Sequence, residues 1–212
     1  MPVTKHAILV EAGGHICEDR AEIINTSEAT VLVVADGVGG MPGGQAAADA
    51  LVEGIEERPP GARAMETSGY GVRELMDIGE EIFGKPTCGQ TTAVVVAIGH
   101  EVIRGASIGD SEAWLFTSGA YLRLTAGQTK SPFLGSGAGM PRPFLQYLVS
   151  GRLLVATDGL FRYAAPETIH ETAVRGEPDA AAEDLLELVR LPSGDLQDDV
   201  AIILADIQNA AV

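Results

Sequence analysis

The sequence predicts an α+β architecture in which antiparallel strands are layered against helices, and three observations carry that expectation. Strand-like apolar segments are too numerous for a helical fold, helical patterns gather in two groups around runs of strands, and two successive strands are joined too closely for a crossover. The strand segments, rich in Val, Ile and Leu, are Ala7–Glu11, Thr30–Ala35, Thr92–Ile98, Val102–Ile108, Ala113–Thr117, Tyr121–Thr125, Arg152–Thr157 and Val200–Asp206. Most are bounded by Gly, Asp, Ser or Pro. Only Gly99, His100 and Glu101 separate Thr92–Ile98 from Val102–Ile108, which suits a hairpin and argues against a doubly wound parallel sheet.

Helical periodicity fits Gly44–Glu57, Val72–Phe83, Pro166–Val174 and Pro178–Val189, with Pro166 and Pro178 in the first turn, where proline is tolerated. Two stretches, Arg58–Tyr70 and Gly127–Pro143, combine Gly and Pro in the manner of surface loops. The second contains GSGAGMPRP and is long for a compact domain, as functional loops often are, with a simple mobile connection as the alternative reading.

No linker-like stretch divides the 212 residues, so a single domain over 1–212 is expected. Apolar residues make up 46% of the chain and aromatic ones 5%, so the core must be built from Ala, Val, Ile and Leu. A formal charge of −16 argues against a nucleic-acid surface, which needs clustered Lys and Arg. Cys17 and Cys88 are too few for a disulfide framework and lack zinc-type spacing. The apolar run before Glu11 is too brief for a secretory signal, and no stretch approaches the ~18 apolar residues of a membrane helix. A soluble, cytoplasmic protein with neither nucleic-acid nor membrane partners is the expectation.

The chemistry gathers at carboxylates. The apolar run TVLVVA leads straight into Asp36-Gly37-Val38-Gly39-Gly40, where glycine lets the backbone turn beneath a strand-end Asp and bring a carbonyl near a bound ion. A tight turn capped by its Asp is the alternative reading. The same construction recurs at LLVATDGLF, with Asp158-Gly159, and Asp198 and Asp199 stand directly before the final strand. Three such carboxylates in one cleft would repel one another by several kcal/mol, and a hard divalent cation resolves the conflict. With no Cys or His among them, Mg²⁺ or Mn²⁺ is indicated instead of zinc.

The ordered series Glu18-Asp19, VVADGVGG, GQTTAVVVAI, ASIGDSEAWLF, LLVATDGLF and QDDVAIIL resembles the motif set of the metal-dependent type 2C protein phosphatases, the PPM family, in its bacterial form. It runs from about Glu11 to Asp206. The resemblance implies a four-layer α-β-β-α sandwich and hydrolysis of phosphoserine and phosphothreonine by a metal-activated water. It further implies that Asp36 bridges two Mn²⁺ or Mg²⁺ ions, that Gly37 offers its carbonyl, and that Asp158 and Asp198 complete the principal shell. Glu18 would serve the second ion and Asp110 a weaker third. The implied partners are a phosphorylated protein substrate and a Ser/Thr kinase. A non-catalytic phosphatase-like binding module and a small-molecule phosphohydrolase are the competing readings.

The sequence departs from the family in two places. Gly14 stands where many members carry a phosphate-binding arginine, which leaves Arg20, two residues past Glu18, as a candidate substitute. Gly127 and Gln128 stand where an Asp-His pair is common, and the loops read as trimmed, implying a more open cleft. Thr91 and Thr92 read as packing residues, Trp114 as a core or sheet-packing residue, and His6, His15, His100 and His170 as solvent-exposed.

Overall fold

Two five-stranded antiparallel sheets lie face to face in the computed structural model, which describes residues 2–40, 42–61, 64–65 and 69–209. Part of the expected Arg58–Tyr70 loop, residues 62–63 and 66–68, lies outside the described residues. The strands are β1 (Val3–Glu11), β2 (Asp19–Asn25), β3 (Thr30–Asp36), β4 (Ala93–Ile98), β5 (Val102–Ile108), β6 (Glu112–Thr117), β7 (Ala120–Arg123), β8 (Arg142–Tyr147), β9 (Gly151–Ala156) and β10 (Val200–Ile207). One sheet runs β2-β3-β4-β5-β8 and the other β1-β10-β9-β6-β7. The expected hairpin is present, with Ile98 paired to Ile103.

The helices are α1 (Gly44–Glu56), α2 (Val72–Phe83), the single turn α3 (Asp158–Phe161), α4 (Pro166–Ala173) and α5 (Pro178–Glu187). Leu51 and Ile55 of α1 and Leu75, Ile78 and Ile82 of α2 cover Val31, Val33 and Val95 on the outer face of the first sheet. Ile169 of α4 and Leu185 of α5 cover Leu154, Ile202 and Leu204 on the outer face of the second. Between the sheets, Leu32, Val34, Val94 and Val96 meet Leu115, Leu153, Val155 and Ile203. The α-β-β-α order expected from the resemblance is the observed one. Because β3 and β4 are covered on both faces, their sequences read as unbroken apolar runs.

The strands absent from the sequence reading are β2 and β8. Both lie at an edge of the first sheet, and DRAEIIN and RPFLQY are half polar because their burial is partial. Consequently the loop expected to run to Pro143 ends where β8 begins, at Arg142. Trp114 is buried and stacks on Tyr121 with centroids 4.7 Å apart, while its Nε1–H donates to Glu112 at 2.6 Å. His170 departs from expectation: it is half-buried, its ring parallel to Phe116 at 5.4 Å.

Register places the chemistry at one end of the sandwich. Asp19 at the start of β2 pairs with Asp36 at the end of β3. The start of β4 pairs with the end of β5, immediately before Asp110, and Ala156 at the end of β9 pairs with both Ile202 and Glu112. Asp36, Asp110, Asp158 and Asp198 therefore leave their strands at a common edge.

Candidate metal centre

At that edge lies a cavity of about 310 Å³ lined by Glu18, Asp36, Gly37, Asp110, Asp158 and Asp198, together with Val38, Gly39, Thr92, Lys130, Phe133, Arg162 and Asp199. All six residues singled out from the sequence thus meet in one place. One carboxylate oxygen from each of Asp36, Asp110 and Asp158 lies within 4.8 Å of the other two. Asp198 and Glu18 stand further out around this trio.

The two Asp-Gly turns are built alike. At Gly37 a Cβ would fall 2.5 Å from the backbone of Gly44 in α1, and at Gly159 one would fall 2.0 Å from the Asp199 carbonyl oxygen. Neither glycine adopts positive φ, so each is required by close backbone approach and not by a left-handed turn. Gly44 in turn leaves room for Glu18, whose Oε1 accepts the Gln45 N–H at 3.2 Å in the first turn of α1.

Thr91 and Thr92, read as packing residues, hold the strand end at Asp36. Thr92 Oγ1 accepts the Asp36 N–H at 3.0 Å, Thr91 Oγ1 donates to the Asp36 carbonyl at 3.0 Å, and the Thr92 hydroxyl also meets Ser111 Oγ at 2.7 Å. Asp199, which in the sequence stands out only as the neighbour of Asp198, accepts the N–H groups of Gly13 at 2.8 Å and Glu18 at 2.6 Å with its two oxygens. It ties the turn carrying Glu18 to the start of β10.

Carboxylates this close and this dry resist ionisation together. Burial first, then the charges of Asp19, Asp158, Asp110 and Asp198, holds the Asp36 carboxyl well above the usual range. Asp19 is raised for the same two reasons, burial foremost, against a lowering hydrogen bond from Thr157. Asp158 is pushed up to about 6, by burial ahead of Asp110 and Asp198. Asp19 is 1% exposed and its Oδ2 has no hydrogen-bond partner. An orphaned buried oxygen, three converging carboxylates and an all-oxygen donor set fit a hard divalent cation.

Arg20 does not fill the place suggested for it. Its Nε meets Asp49 of α1 at 2.5 Å and its Nη1 donates to the carbonyls of Cys17 at 3.0 Å and Asp19 at 2.7 Å, so it braces the 17–20 turn away from the cavity. The cations that do line the cavity, Lys130 and Arg162, escaped the sequence reading. Lys130 Nζ lies 2.5 Å from Asp110 and 3.8 Å from Asp158, and Arg162 Nη1 lies 3.9 Å from Asp158 and 3.7 Å from Asp198. The signals were present: Arg162 falls one helical turn after Asp158, and Lys130 sits in TAGQTKSPF, where the family pattern breaks.

Comparison with known proteins gives structural likeness alone. No family model matches the sequence, and no curated protein matches it. Among solved structures, a bacterial serine phosphatase superposes with a TM-score of 0.83 at 21% identity over 98% of this chain and 99% of its own. The serine/threonine phosphatase Stp1 from Staphylococcus aureus gives 0.84 at 20% over 96% and 94%. The catalytic domain of the serine/threonine phosphatase PstP, solved with two manganese ions, gives 0.75 at 20% over 96% and 97%. The chain shares the fold of these bacterial phosphatases nearly end to end.

Proposed function

We propose that this chain is a metal-dependent phosphatase acting on phosphoserine and phosphothreonine in proteins. The observation that carries the reading is the convergence of Asp36, Asp110 and Asp158 within 4.8 Å in an open cavity, on a fold shared with proteins named as such phosphatases. Asp36, the Gly37 carbonyl, Glu18, Asp158 and Asp198 would hold two Mn²⁺ or Mg²⁺ ions, as PstP holds two manganese ions, and Asp110 a weaker third. Bound there, the ions would supply a water of lowered pKa and neutralise phosphoryl charge.

The chain's own residues position and balance. Thr91 and Thr92 hold the backbone of Asp36, Asp199 holds the turn bearing Glu18, and the Gly37 and Gly159 backbones close around neighbouring elements. No Cys, Ser or His lines the cavity among the described residues, and the Thr92 hydroxyl is engaged by Ser111 and the Asp36 amide. A phosphoenzyme on Cys, Ser or His is therefore disfavoured, and direct attack by water is the mechanism this reading adopts. The opposing kinase, a cytoplasmic setting and one catalytic domain over residues 1–212 belong to the same reading. Among the described residues no helix is long and apolar enough to cross a membrane.

Retention of Asp36, Asp158 and Asp198 favours hydrolysis over a binding-only module. Phosphate release from a phosphothreonine peptide and from p-nitrophenyl phosphate, with Mn²⁺ and with chelator, is the test. Manganese-dependent turnover of the peptide is expected; phosphate release unaffected by chelator, or none from either compound, overturns the reading.

A further inference from the structure

We infer that Lys130 and Arg162 form the cationic clamp that receives the substrate phosphate at the mouth of the cavity, a reading that rests on the phosphatase function proposed above. Among the described residues six carboxylates line this cavity, and the cations that stand with them are Lys130 and Arg162. Their side chains are 67% and 56% exposed, whereas those of Asp110 and Asp158 beneath them are 22% and 16% exposed. The carboxylates thus form the floor and the cations the rim. A phosphomonoester dianion reaching the floor comes within reach of both.

The rim reaches the floor through ion pairs. Lys130 reaches Asp110 and Asp158 while Arg162 reaches Asp158 and Asp198, so Asp158 is shared by both. Divalent ions compete for these same carboxylates, and an ammonium or guanidinium released from them is left beside the place where the phosphoryl oxygens arrive. Both cations are held near that place by backbone. Gln128 Nε2 donates to the Ser111 carbonyl at 2.6 Å, and Leu134 exchanges backbone hydrogen bonds with Thr91 at 2.9 and 3.2 Å, so the segment carrying Lys130 is pinned on both sides to the neighbours of Asp110 and Asp36. The Arg162 N–H donates to the Asp158 carbonyl at 2.8 Å, closing the turn that carries the carboxylate itself.

The experiment uses the full chain with Lys130→Gln, Arg162→Gln, the double variant and the charge-conserving Lys130→Arg. Binding of inorganic phosphate in saturating Mn²⁺ is measured by calorimetry, and KM and kcat on a phosphothreonine peptide are measured alongside. Each Gln variant should weaken phosphate and raise KM about fivefold to twentyfold, with kcat changed less than about threefold, and Lys130→Arg should restore most of the loss. Mn²⁺ titration without phosphate gives a separate readout: removing a competing cation should tighten Mn²⁺ binding in Lys130→Gln, whereas a merely structural lysine would leave it unchanged or weakened. Wild-type phosphate affinity and KM in the double variant would overturn the clamp while the phosphatase reading stands. If the wild type binds phosphate but hydrolyses nothing, loss of that binding in the variants upholds the clamp and the phosphatase reading falls. A wild type that binds neither Mn²⁺ nor phosphate removes both.

Discussion

The two Asp-Gly turns share a construction but not a setting. Asp36-Gly37 ends β3 on the first sheet, where hydroxyls hold its backbone, its side chain faces other carboxylates, and no cation among the described residues pairs with it. Asp158-Gly159 follows β9 on the second sheet and has Lys130 and Arg162 within 4 Å. The first is balanced only by holding its proton or by taking up metal; the second is already balanced in part by side chains. On the proposed reading both turns would hold ions, and the second would do so beside the two cations that meet the incoming phosphate.

Asp36→Asn breaks the first side of that comparison and carries the largest expected effect. Activity in Mn²⁺ should fall at least about a thousandfold, since an amide cannot bridge two cations as a carboxylate does. Metal-free thermal stability should hold or rise, because Asn resembles the protonated carboxyl already favoured there. The rise of Tm with Mn²⁺ should shrink toward nothing. Near-native turnover in this variant would falsify the two-metal assignment.

Asp199→Ala comes next. It leaves the N–H groups of Gly13 and Glu18 without acceptors, and truncation of a charged acceptor of two hydrogen bonds costs about 2–3 kcal/mol. Denaturant unfolding should report that loss, and calorimetry should show weaker Mn²⁺ binding because Glu18 is less well placed. An unchanged midpoint would remove Asp199 from its positioning role.

A pH titration in chelator sharpens the contrast without mutation. Asp158 titrates near 6 in the folded chain against 3.8 for the ordinary carboxyl, so between those values the folded state keeps a proton the unfolded state has released. Its contribution is complete below about pH 4 and is lost as pH rises through about 6. Asp36 and Asp19, shifted in the same direction, extend the decline to higher pH. Saturating Mn²⁺ should reverse the slope, since binding displaces these protons. A metal-free chain whose stability rises from pH 4 to 7 would contradict the buried-carboxylate account.

The smallest effects concern the first turn. Arg20→Ala should lower stability by roughly 1–2 kcal/mol through its lost contacts to Asp49 and the 17–20 carbonyls, with KM unchanged. Gly14→Arg meets no atom within 4 Å of its added Cβ, so the fold should accept it, with KM for phosphopeptides lowered about twofold to fivefold if the guanidinium reaches the rim. A KM increase in Arg20→Ala would return that residue to the phosphate site.

The sequence by itself determined the α+β class, the central strands and four helices, because β3, β4, β9 and β10 are covered on both sides and so written in mainly apolar runs. It also marked Asp36, Asp158 and Asp198, since a carboxylate followed by Gly or preceding a buried strand is a local pattern. Edge strands β2 and β8 were not legible, because partial burial leaves a mixed sequence with no period. Only the tertiary structure decided that Thr91, Thr92 and Asp199 position the site, that Arg20 braces α1, and that Lys130 and Arg162 face the carboxylates. Apart from Arg162, one helical turn after Asp158, these roles rest on contacts across elements, such as the 186 positions between Gly13 and Asp199, and a hydrogen bond at such separation leaves no trace in the local residue pattern.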